Sequence, residues 1–319
     1  MLCDSLFTKY RADFEEYYYQ KIWPKLIEME EKRLSQLYRF WILFFIMCCA
    51  LPCFIIYMWG EWLYVAFTQC SGKELEGIIK LGLLLIALIV SIVGYPIVCY
   101  KSDVKNAIIK DFINFFGSFD HNIFSKIHDE TIKKSLLFNS YNRHYGDDYF
   151  CGKYKNVDMV ISEEELIFKR NKGQNTVFDG VLILLKFPKN FLGQTVVFKD
   201  WGYFNCFHKT AKHFENIKLE DIIFEKEFEV FATDQIEART LLTTAFMERI
   251  LKVRDIFHGK KIQFSFFDNH LLIAIHTSTD MFEPSSLFKC STDRRPINNV
   301  FEQFLAVFAI IEFLKLTQQ

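Results

Sequence analysis

The sequence lacks the short motifs that mark the common enzyme families. It contains no HExxH zinc motif, no phosphate-binding P-loop, no GxSxG nucleophile turn and no GxGxxG dinucleotide motif. It also lacks an excess of charge of either sign, because 38 basic and 39 acidic residues leave a formal net charge of −1. Nucleic-acid-binding domains normally carry a basic surplus. We therefore expect no cofactor and no nucleic-acid partner.

Paired cysteines are missing as well, although the chain holds nine cysteines. No CxxC pair and no cysteine–histidine spacing of a zinc site occurs. Several cysteines fall inside apolar runs, where cysteine behaves as a small hydrophobic residue, and the others are scattered singly. Isolated thiols fit a reducing compartment, so we expect neither a disulfide framework nor a structural zinc ion.

Charged residues are absent from two long runs, residues 40–60 and 81–100. A helix that rises about 1.5 Å per residue needs about 20 residues to cross roughly 30 Å of hydrocarbon. Helices buried in a soluble core rarely stay uncharged for so long, and a cleaved signal peptide does not fit a run that 39 residues precede. The runs therefore predict two transmembrane helices.

Lysine and arginine around the two runs predict their orientation, because basic residues concentrate on the cytoplasmic side. The connecting residues 61–80 contain only two basic residues, Lys73 and Lys80. Both termini are therefore expected in the cytoplasm, with two spans and a short external loop. The flanking basic residues are Lys21, Lys25, Lys32, Arg33 and Arg39 before the first run and Lys101, Lys105 and Lys110 after the second.

The segments that flank the runs, residues 1–39 and 101–137, carry apolar residues at helical spacing. We expect residues 1–39 to form a cytoplasmic helical arm that begins or breaks near Pro24. Its charges of both signs suit a solvated face; a helix that lies on the membrane or forms a coiled coil is the alternative. Residues 101–137 are expected to form a juxtamembrane helical region, on which His121 and His128 could share one face.

Residues 138–319 are predicted to form a cytoplasmic α+β domain. Short runs with strand-like composition alternate with turn signals between residues 149 and 198, and residues 262–275 have the pattern of a β-hairpin. Antiparallel strand pairs mixed with long helices indicate an α+β fold. The whole chain is then an N-terminal two-helix transmembrane hairpin followed by a mixed, mainly antiparallel sheet packed with helices.

Three further elements are expected in the second half of that domain. Alternating phenylalanine and glutamate over residues 224–230 predicts a half-buried strand with an outer row of three glutamates. Asp234 and Glu237 have the N-cap and N3 spacing of a helix that extends to about residue 253. Residues 300–316 are apolar almost all round, which predicts a helix packed in the core. A membrane-associated helix is the alternative.

His144, Asp147 and Asp148 are the candidate catalytic residues. Imidazole and carboxylate groups are suitable ligands of a catalytic metal ion, and these three lie close together in a segment that the sequence predicts as a loop. A solvated or core-packed histidine with carboxylates that pair inside the domain is the structural alternative. The residues do not distinguish these two interpretations, so the catalytic residues stay unknown and no metal ligand set is assigned.

Several sequence blocks occur in an order that is typical of one family. The most specific block is FEKEFEVFATD at residues 224–234, which continues into EARTLL at residues 237–242. The other blocks are the arm motif at residues 26–33, SLLF at 135–138, DDYFCG at 147–152, VFDGV at 177–181, GQTVV at 193–197 and the hairpin at 264–275.

This order resembles the bacterial membrane-protein family known as domain of unknown function 3137. The resemblance covers nearly the whole chain. It implies a location in the bacterial inner membrane and a cytoplasmic C-terminal domain, and it implies no activity. Asp179 stands where the family pattern leads us to expect arginine or lysine, so the resemblance assigns no role to a basic residue at that position.

These observations favour a non-enzymatic membrane-anchored module whose cytosolic domain binds a protein or a lipid headgroup. The alternative is a metal-dependent, membrane-bound hydrolase that uses the His144, Asp147 and Asp148 segment. A transporter or channel subunit ranks third, because the runs offer almost no polar group beyond Ser91 and the chain would have to assemble as a homo-oligomer to form a path.

Overall fold

The computed structural model describes residues 2–68, 72–123, 125–170, 173–187, 190–199, 213–256, 261–277 and 281–314. The chain divides into two compact units. The helical unit comprises Met1–Ile108 and Glu283–Ile297, and the sheet unit comprises Ile109–Phe282 and Asn298–Gln319. This division differs from the predicted boundary at residue 138, because the sheet unit begins earlier and a late segment belongs to the helical unit.

Three helices form the first part of the helical unit: α1 Leu2–Tyr17, α2 Trp23–Thr68 and α3 Gly72–Val104. A π-helical turn, Tyr18–Ile22, joins α1 to α2 just before Pro24, which lacks the amide hydrogen that a regular helix would use. The two charge-free runs lie within α2 and α3. Both helices are long and apolar enough to cross a membrane, and no residue in the most apolar window of the first is buried.

The predicted helical region 101–137 is helical only as far as Phe116. A π-helical turn, Lys105–Ile109, leads into α4 Lys110–Phe116, and strand β1, Ser118–Asn122, follows. Gly117 makes this change possible, because a Cβ atom there would lie 2.6 Å from the carbonyl oxygen of Lys153. The short helix α5, Asp129–Ser135, comes after β1. The sequence SFDHN of β1 has little strand propensity of its own and is held by antiparallel pairing with residues 149–153.

Among the residues that the structure describes, the sheet unit contains nine strands in the order β1-β2-β3-β4-β9-β8-β5-β7-β6, and every neighbouring pair is antiparallel. This confirms the predicted α+β fold and the β8–β9 hairpin. Asn171-Lys172-Gly173 has the composition of a hairpin turn, and its first two residues lie outside the described residues. The remaining strands are β2 Arg143–Tyr154, β3 Val157–Arg170, β4 Gly173–Lys186, β5 Thr195–Lys199, β6 Glu215–Ile217, β7 Phe228–Ala232, β8 Ile262–Phe267 and β9 His270–His276.

The helix α9, Arg294–Leu314, covers one face of the sheet with aromatic side chains. The Phe304 ring lies 4.4 Å from Phe282 and 5.3 Å from Phe150, measured between ring centroids. The Phe308 ring lies 4.7 Å from Tyr154. The residues of α9 from 300 to 311 are mostly buried, so the predicted core helix is confirmed.

A second core fills the opposite face, under α5 and the segment that follows it. Side chains that alternate along β3, β4 and β9 reach this core, because successive residues of a strand point to opposite faces. Its fully buried members are Ile127, Ile132, Leu137, Leu166, Phe178, Leu182, Val196, Phe198, Phe267, Leu272 and Ala274.

The predicted strand over residues 224–230 is wrong in its first half. The Asp221 carboxylate accepts hydrogen bonds from the amides of Ile223 and Phe224 and begins a helix, α6 Ile222–Glu227. Strand β7 starts only at Phe228, so Glu225 and Glu227 lie on a helix and no single row of three glutamates exists.

The helix predicted after Asp234 begins there, since the Asp234 carboxylate caps the amides of Ile236 and Glu237. It is divided into α7 Gln235–Leu241 and α8 Thr244–Ile256. Thr243 caps the start of the second helix, because its hydroxyl accepts from the amide of Phe246 at 3.3 Å.

Candidate functional site

His144 occupies a buried position between two carboxylates in the sheet unit. It lies on β2, and its Nδ1 is 2.9 Å from Oδ1 of Asp129, the first residue of α5. Its Nε2 contacts the Glu164 carboxylate on β3. The imidazole is 3% exposed and the Glu164 side chain is fully buried. Each ring nitrogen of His144 therefore has a carboxylate as its hydrogen-bond partner.

Neighbouring groups complete this cluster. The amide of Ile127 donates to the second oxygen of Glu164 at 2.7 Å. The Tyr141 hydroxyl donates to Asp129 at 2.9 Å. Burial pushes the pKa of Asp129 upward, but the hydrogen bonds from Tyr141 and His144 outweigh this effect and leave its pKa below the ordinary value. Burial and the Asp129 carboxylate raise the pKa of Tyr141, so the phenol stays a donor.

This cluster attaches the segment that contains α5 to strands β2 and β3. Lys126 adds a further link, because its ammonium group donates to the carbonyl oxygen of His144 at 2.9 Å. The groups are bonded to one another, and the imidazole is almost closed to solvent. The cluster is therefore arranged as a structural link between segments.

Asp147 and Asp148, the other predicted site residues, are not among the contacts described for His144. The segment is part of β2 and not a loop, and a β-bulge between Asp147 and Phe150 shifts the register there. Asp148 adopts a left-handed backbone conformation with φ 49° and its buried carboxylate lies 3.0 Å from Nε2 of His121.

The other predicted histidine pair is also separated by the fold. His121 lies on β1, where its ring stacks on Phe150, whereas His128 is the N-cap residue of α5, so the two do not share a helix face. Among the residues that the structure describes, no group of three or more His, Cys, Asp or Glu side chains is placed to hold a metal ion.

A shallow trough crosses strands β1 to β4 on the face of the sheet opposite α9. Its volume is ≈ 450 Å³. Cys151, Val160 and Leu184 are paired across β2, β3 and β4 and form one line along its floor, and Asp120 on β1 lies at the end of that line, on the rim. Val160 and Leu184 are half-buried, and Cys151 is an exposed free thiol.

The rim of the trough is charged. Lys153 and Asp158 form an ion pair at 3.2 Å, and Lys186 lies opposite His270 in the register of β4 and β9. Burial lowers the pKa of His270, which therefore favours the neutral imidazole. An apolar floor inside a charged rim is the usual composition of a surface that buries apolar groups of a ligand.

Sequence reasoning missed both Glu164 and the trough. A signal for Glu164 was available in the sequence. Glu164 lies four residues after Val160 and two residues before Leu166, so in a strand all three side chains share one face. A glutamate in such a row has to find a partner inside the protein. No comparable signal marks the trough, since its floor comes from four strands whose register only the fold defines.

Residues 176–316 match the sequence model of a family described as a protein of unknown function, DUF3137. The chain resembles this family. The matched region begins in β4 and includes all of the described part of α9 that follows. It therefore contains the β8–β9 hairpin and the sequence block at residues 224–242, which forms α6, β7 and α7. The match assigns no activity.

Among curated proteins, none matches the sequence. One solved structure that is similar is the crystal structure of the mycobacterial trehalose monomycolate transport factor A, TtfA. The two are 11% identical, the TM-score is 0.34, and the comparison covers 64% of this chain and 93% of that chain. A likeness of this size supports no conclusion on function.

Proposed function

We propose that the chain is an integral membrane protein that holds a non-enzymatic binding module at a membrane. The observation that carries this proposal is the outer surface of α2 and α3. Along both charge-free runs, large apolar side chains face outward. Phe45, Ile56 and Trp59 on α2 and Leu84 and Val98 on α3 are all more than half exposed.

A lipid bilayer suits this surface better than water. Burying a large apolar side chain is worth about 1.5–3 kcal/mol, and the side chains on these helices gain that stabilisation only from an apolar surrounding. Soluble monomers rarely expose a contiguous apolar patch of such length. Helices also satisfy their own backbone hydrogen bonds, as a membrane span requires.

The proposed location is the bacterial inner membrane, with both termini in the cytoplasm. The basic residues that flank the runs support this orientation. In spheroplasts, a membrane-impermeant maleimide should label Cys70 in the connecting loop, and Cys70→Ser should remove that labelling. Labelling that appears only after permeabilisation would contradict the orientation.

The trough is the proposed binding surface of the module, and its partner is a protein segment or a lipid. Its apolar floor and charged rim support this choice. A photoreactive phenylalanine analogue at Leu184 in the full-length chain in cells should form adducts of one defined mass. The same analogue at Ile223, an exposed residue of α6, serves as the control.

Mass spectrometry of the adducts separates the outcomes. A discrete protein, a lipid or a second copy of the chain captured from Leu184 but not from Ile223 supports the binding surface, and Val160→Arg should abolish that adduct. Equal capture from both positions, or none from Leu184, would contradict it.

The alternative function, a metal-dependent hydrolase, has no specific observation in its favour among the described residues. In the arrangement described, each ring nitrogen of His144 already has a carboxylate partner inside the protein.

A further inference from the structure

One loop of the helical unit, residues 283–293, lies against the ends of both charge-free runs. At its start, Glu283 pairs with Lys105 at 2.8 Å and with Lys101 at 3.4 Å, just beyond the second run. In its middle, the carbonyl oxygen of Leu287 accepts a hydrogen bond from the Arg33 guanidinium at 3.0 Å, just before the first run.

Further contacts hold the loop against α2 and α3. Tyr100 is the last residue of the second run, and its buried hydroxyl lies 3.1 Å from the Ser285 hydroxyl and 2.6 Å from that of Ser291. The amide of Ser291 donates to Glu30 at 2.7 Å. Glu30 also holds Arg33 with two hydrogen bonds, so the loop, α2 and α3 form one connected set of contacts.

The tip of the loop is exposed, and it is apolar and basic. Phe288, Lys289 and Cys290 are all exposed, and Phe288 is 52% exposed. The Phe288 ring lies 5.1 Å from that of Phe40, edge to face. Phe40 is the first residue of the first run and stacks on Phe44 at 5.9 Å, so the Phe288 ring continues the apolar surface of α2.

We propose that this tip enters the headgroup region of the membrane that α2 and α3 cross. Phe288 lies at the boundary between acyl chains and headgroups, beside Phe40, and Lys289 contacts lipid phosphates. Aromatic rings favour this depth, and the positive charge of a lysine is attracted to the anionic cytoplasmic leaflet. The inference rests on the proposed function, because it requires the two helices to span the bilayer.

Lipid is the occupant that the geometry favours over a protein partner. Phe288 at the tip contacts Phe40, the first residue of the first run, while Ser285 and Ser291 contact Tyr100, the last residue of the second run. The apolar surface of the tip is continuous with that of α2, which faces acyl chains when the run spans a bilayer. Arg39 is also exposed, one residue before Phe40, and adds basic charge at the same level.

Tryptophan fluorescence of the full-length chain tests the proposal. Phe288→Trp adds one indole to the five native tryptophans, and the difference from wild type reports the loop tip. In vesicles whose lipids are brominated near the glycerol end of the acyl chain, we expect loss of most of this added emission. Ile27→Trp is the matched control, since Ile27 is exposed on α2 about 20 Å before Phe40 at about 1.5 Å per residue. Its added emission should survive.

The native tryptophans separate failure of this inference from failure of the proposed function. Trp41 and Trp59 lie in the first run, so bromine must quench the wild-type emission if the run is in the bilayer. Quenched wild-type emission with unquenched added emission at position 288 overturns the loop proposal alone. Unquenched emission in every variant overturns the membrane span.

A charge variant tests the role of Lys289. In the Phe288→Trp background, Lys289→Glu should reduce the quenching of the added emission in vesicles that contain anionic phosphatidylglycerol. The quenching should change little in vesicles of neutral phosphatidylcholine. Equal quenching of both variants in anionic vesicles overturns the phosphate contact.

Discussion

At the scale of single residues, His144, Asp129 and Glu164 form a small, mostly buried set of polar groups in the sheet unit that bond to one another. His144 uses both ring nitrogens, and Glu164 uses both carboxylate oxygens. Removing one member of such a set leaves the others buried without a partner, which costs more than the net contribution of the intact contact.

Glu164→Ala should therefore destabilise the sheet unit strongly. The change leaves the buried imidazole of His144 and the amide of Ile127 without their partner, and we expect a loss of about 3–5 kcal/mol in the free energy of unfolding. Glu165→Ala, at the half-buried neighbouring position, is the control and should cost less than about 1 kcal/mol. Thermal or denaturant unfolding of the full chain measures both, and equal losses would contradict the structural role of Glu164.

His276 should make the stability of the sheet unit depend on pH. Burial, with repulsion from Lys261, lowers the pKa of His276 from 6.5 to about 4. The folded state therefore favours the neutral ring. The contribution of the neutral His276 ring to the free energy of unfolding is fully present above pH ~6.5. It is lost as the pH drops from about 6.5 toward 4, by about 3 kcal/mol in total.

Unfolding midpoints between pH ~7 and pH ~5 test this dependence. His276→Gln should flatten the curve over that range, whereas His213→Gln, at an exposed turn position, should leave it unchanged. A wild-type midpoint that does not move with pH over this window would contradict the assignment.

At the scale of elements, two glycines of β4 show how backbone approach determines strand pairing. Gly180 and Gly173 both have φ in the left-handed range, at 152° and 131°. A Cβ atom at Gly180 would lie 2.1 Å from the carbonyl oxygen of Ile275 on β9, whereas nothing lies within 4 Å of one at Gly173. The first position is crowded and strained, and the second is only strained.

Gly180→Ala should therefore separate β4 from β9 near Ile275 and destabilise the protein by several kcal/mol. Gly173→Ala carries the conformational strain without the collision and should cost about 1 kcal/mol. The Thr277 amide donates to the backbone carbonyl oxygen of Asp179 at 2.9 Å, and its hydrogen exchange reports local opening. Similar protection of this amide in both variants would contradict the collision.

The elements that the sequence predicted correctly are those whose signals are local. An uncharged run of 20 residues and an Asp234 cap are both readable without the fold. Strand β1 was missed because its pairing with β2 defines it. Helix α6 was missed for two reasons. Phe224 and Phe228 are four residues apart, a spacing that fits one face of a helix as well as one face of a strand, and the Asp221 cap was overlooked.

The candidate site was predictable only in part, for a related reason. His144 was recognised, but its partners Asp129 and Glu164 lie 15 and 20 residues away in the sequence. The bulge that directs Asp148 toward His121 has no marker in the composition of the segment. Long-range register determined each of these contacts.

At the scale of the whole molecule, the sheet unit includes residues that precede the predicted domain start. Phe112, Phe116 and Phe119 are all buried, and β1 covers the edge of β2. A chain that starts at residue 138 lacks these groups and exposes the β2 edge, whereas a chain that starts at residue 109 keeps them.

We therefore expect residues 109–319 to give soluble protein with a cooperative thermal transition, and residues 138–319 to aggregate or to melt at a clearly lower temperature. Gel filtration and circular dichroism on the two truncated chains measure this difference. The same behaviour in both would show that β1 and α4 contribute little to the fold.

The late segment of the helical unit has a consequence for biosynthesis. Leu287, which contacts Arg33, and Ser291, which contacts Tyr100, both lie beyond Glu283, and residues 109–282, which are 174 residues, are translated before them. At ~5–20 residues per second, a ribosome needs about 10–35 s to cover that distance. The two apolar helices are therefore synthesised well before their contacts to loop 283–293 can form, and the helical unit completes its fold only after the described strands of the sheet have been synthesised.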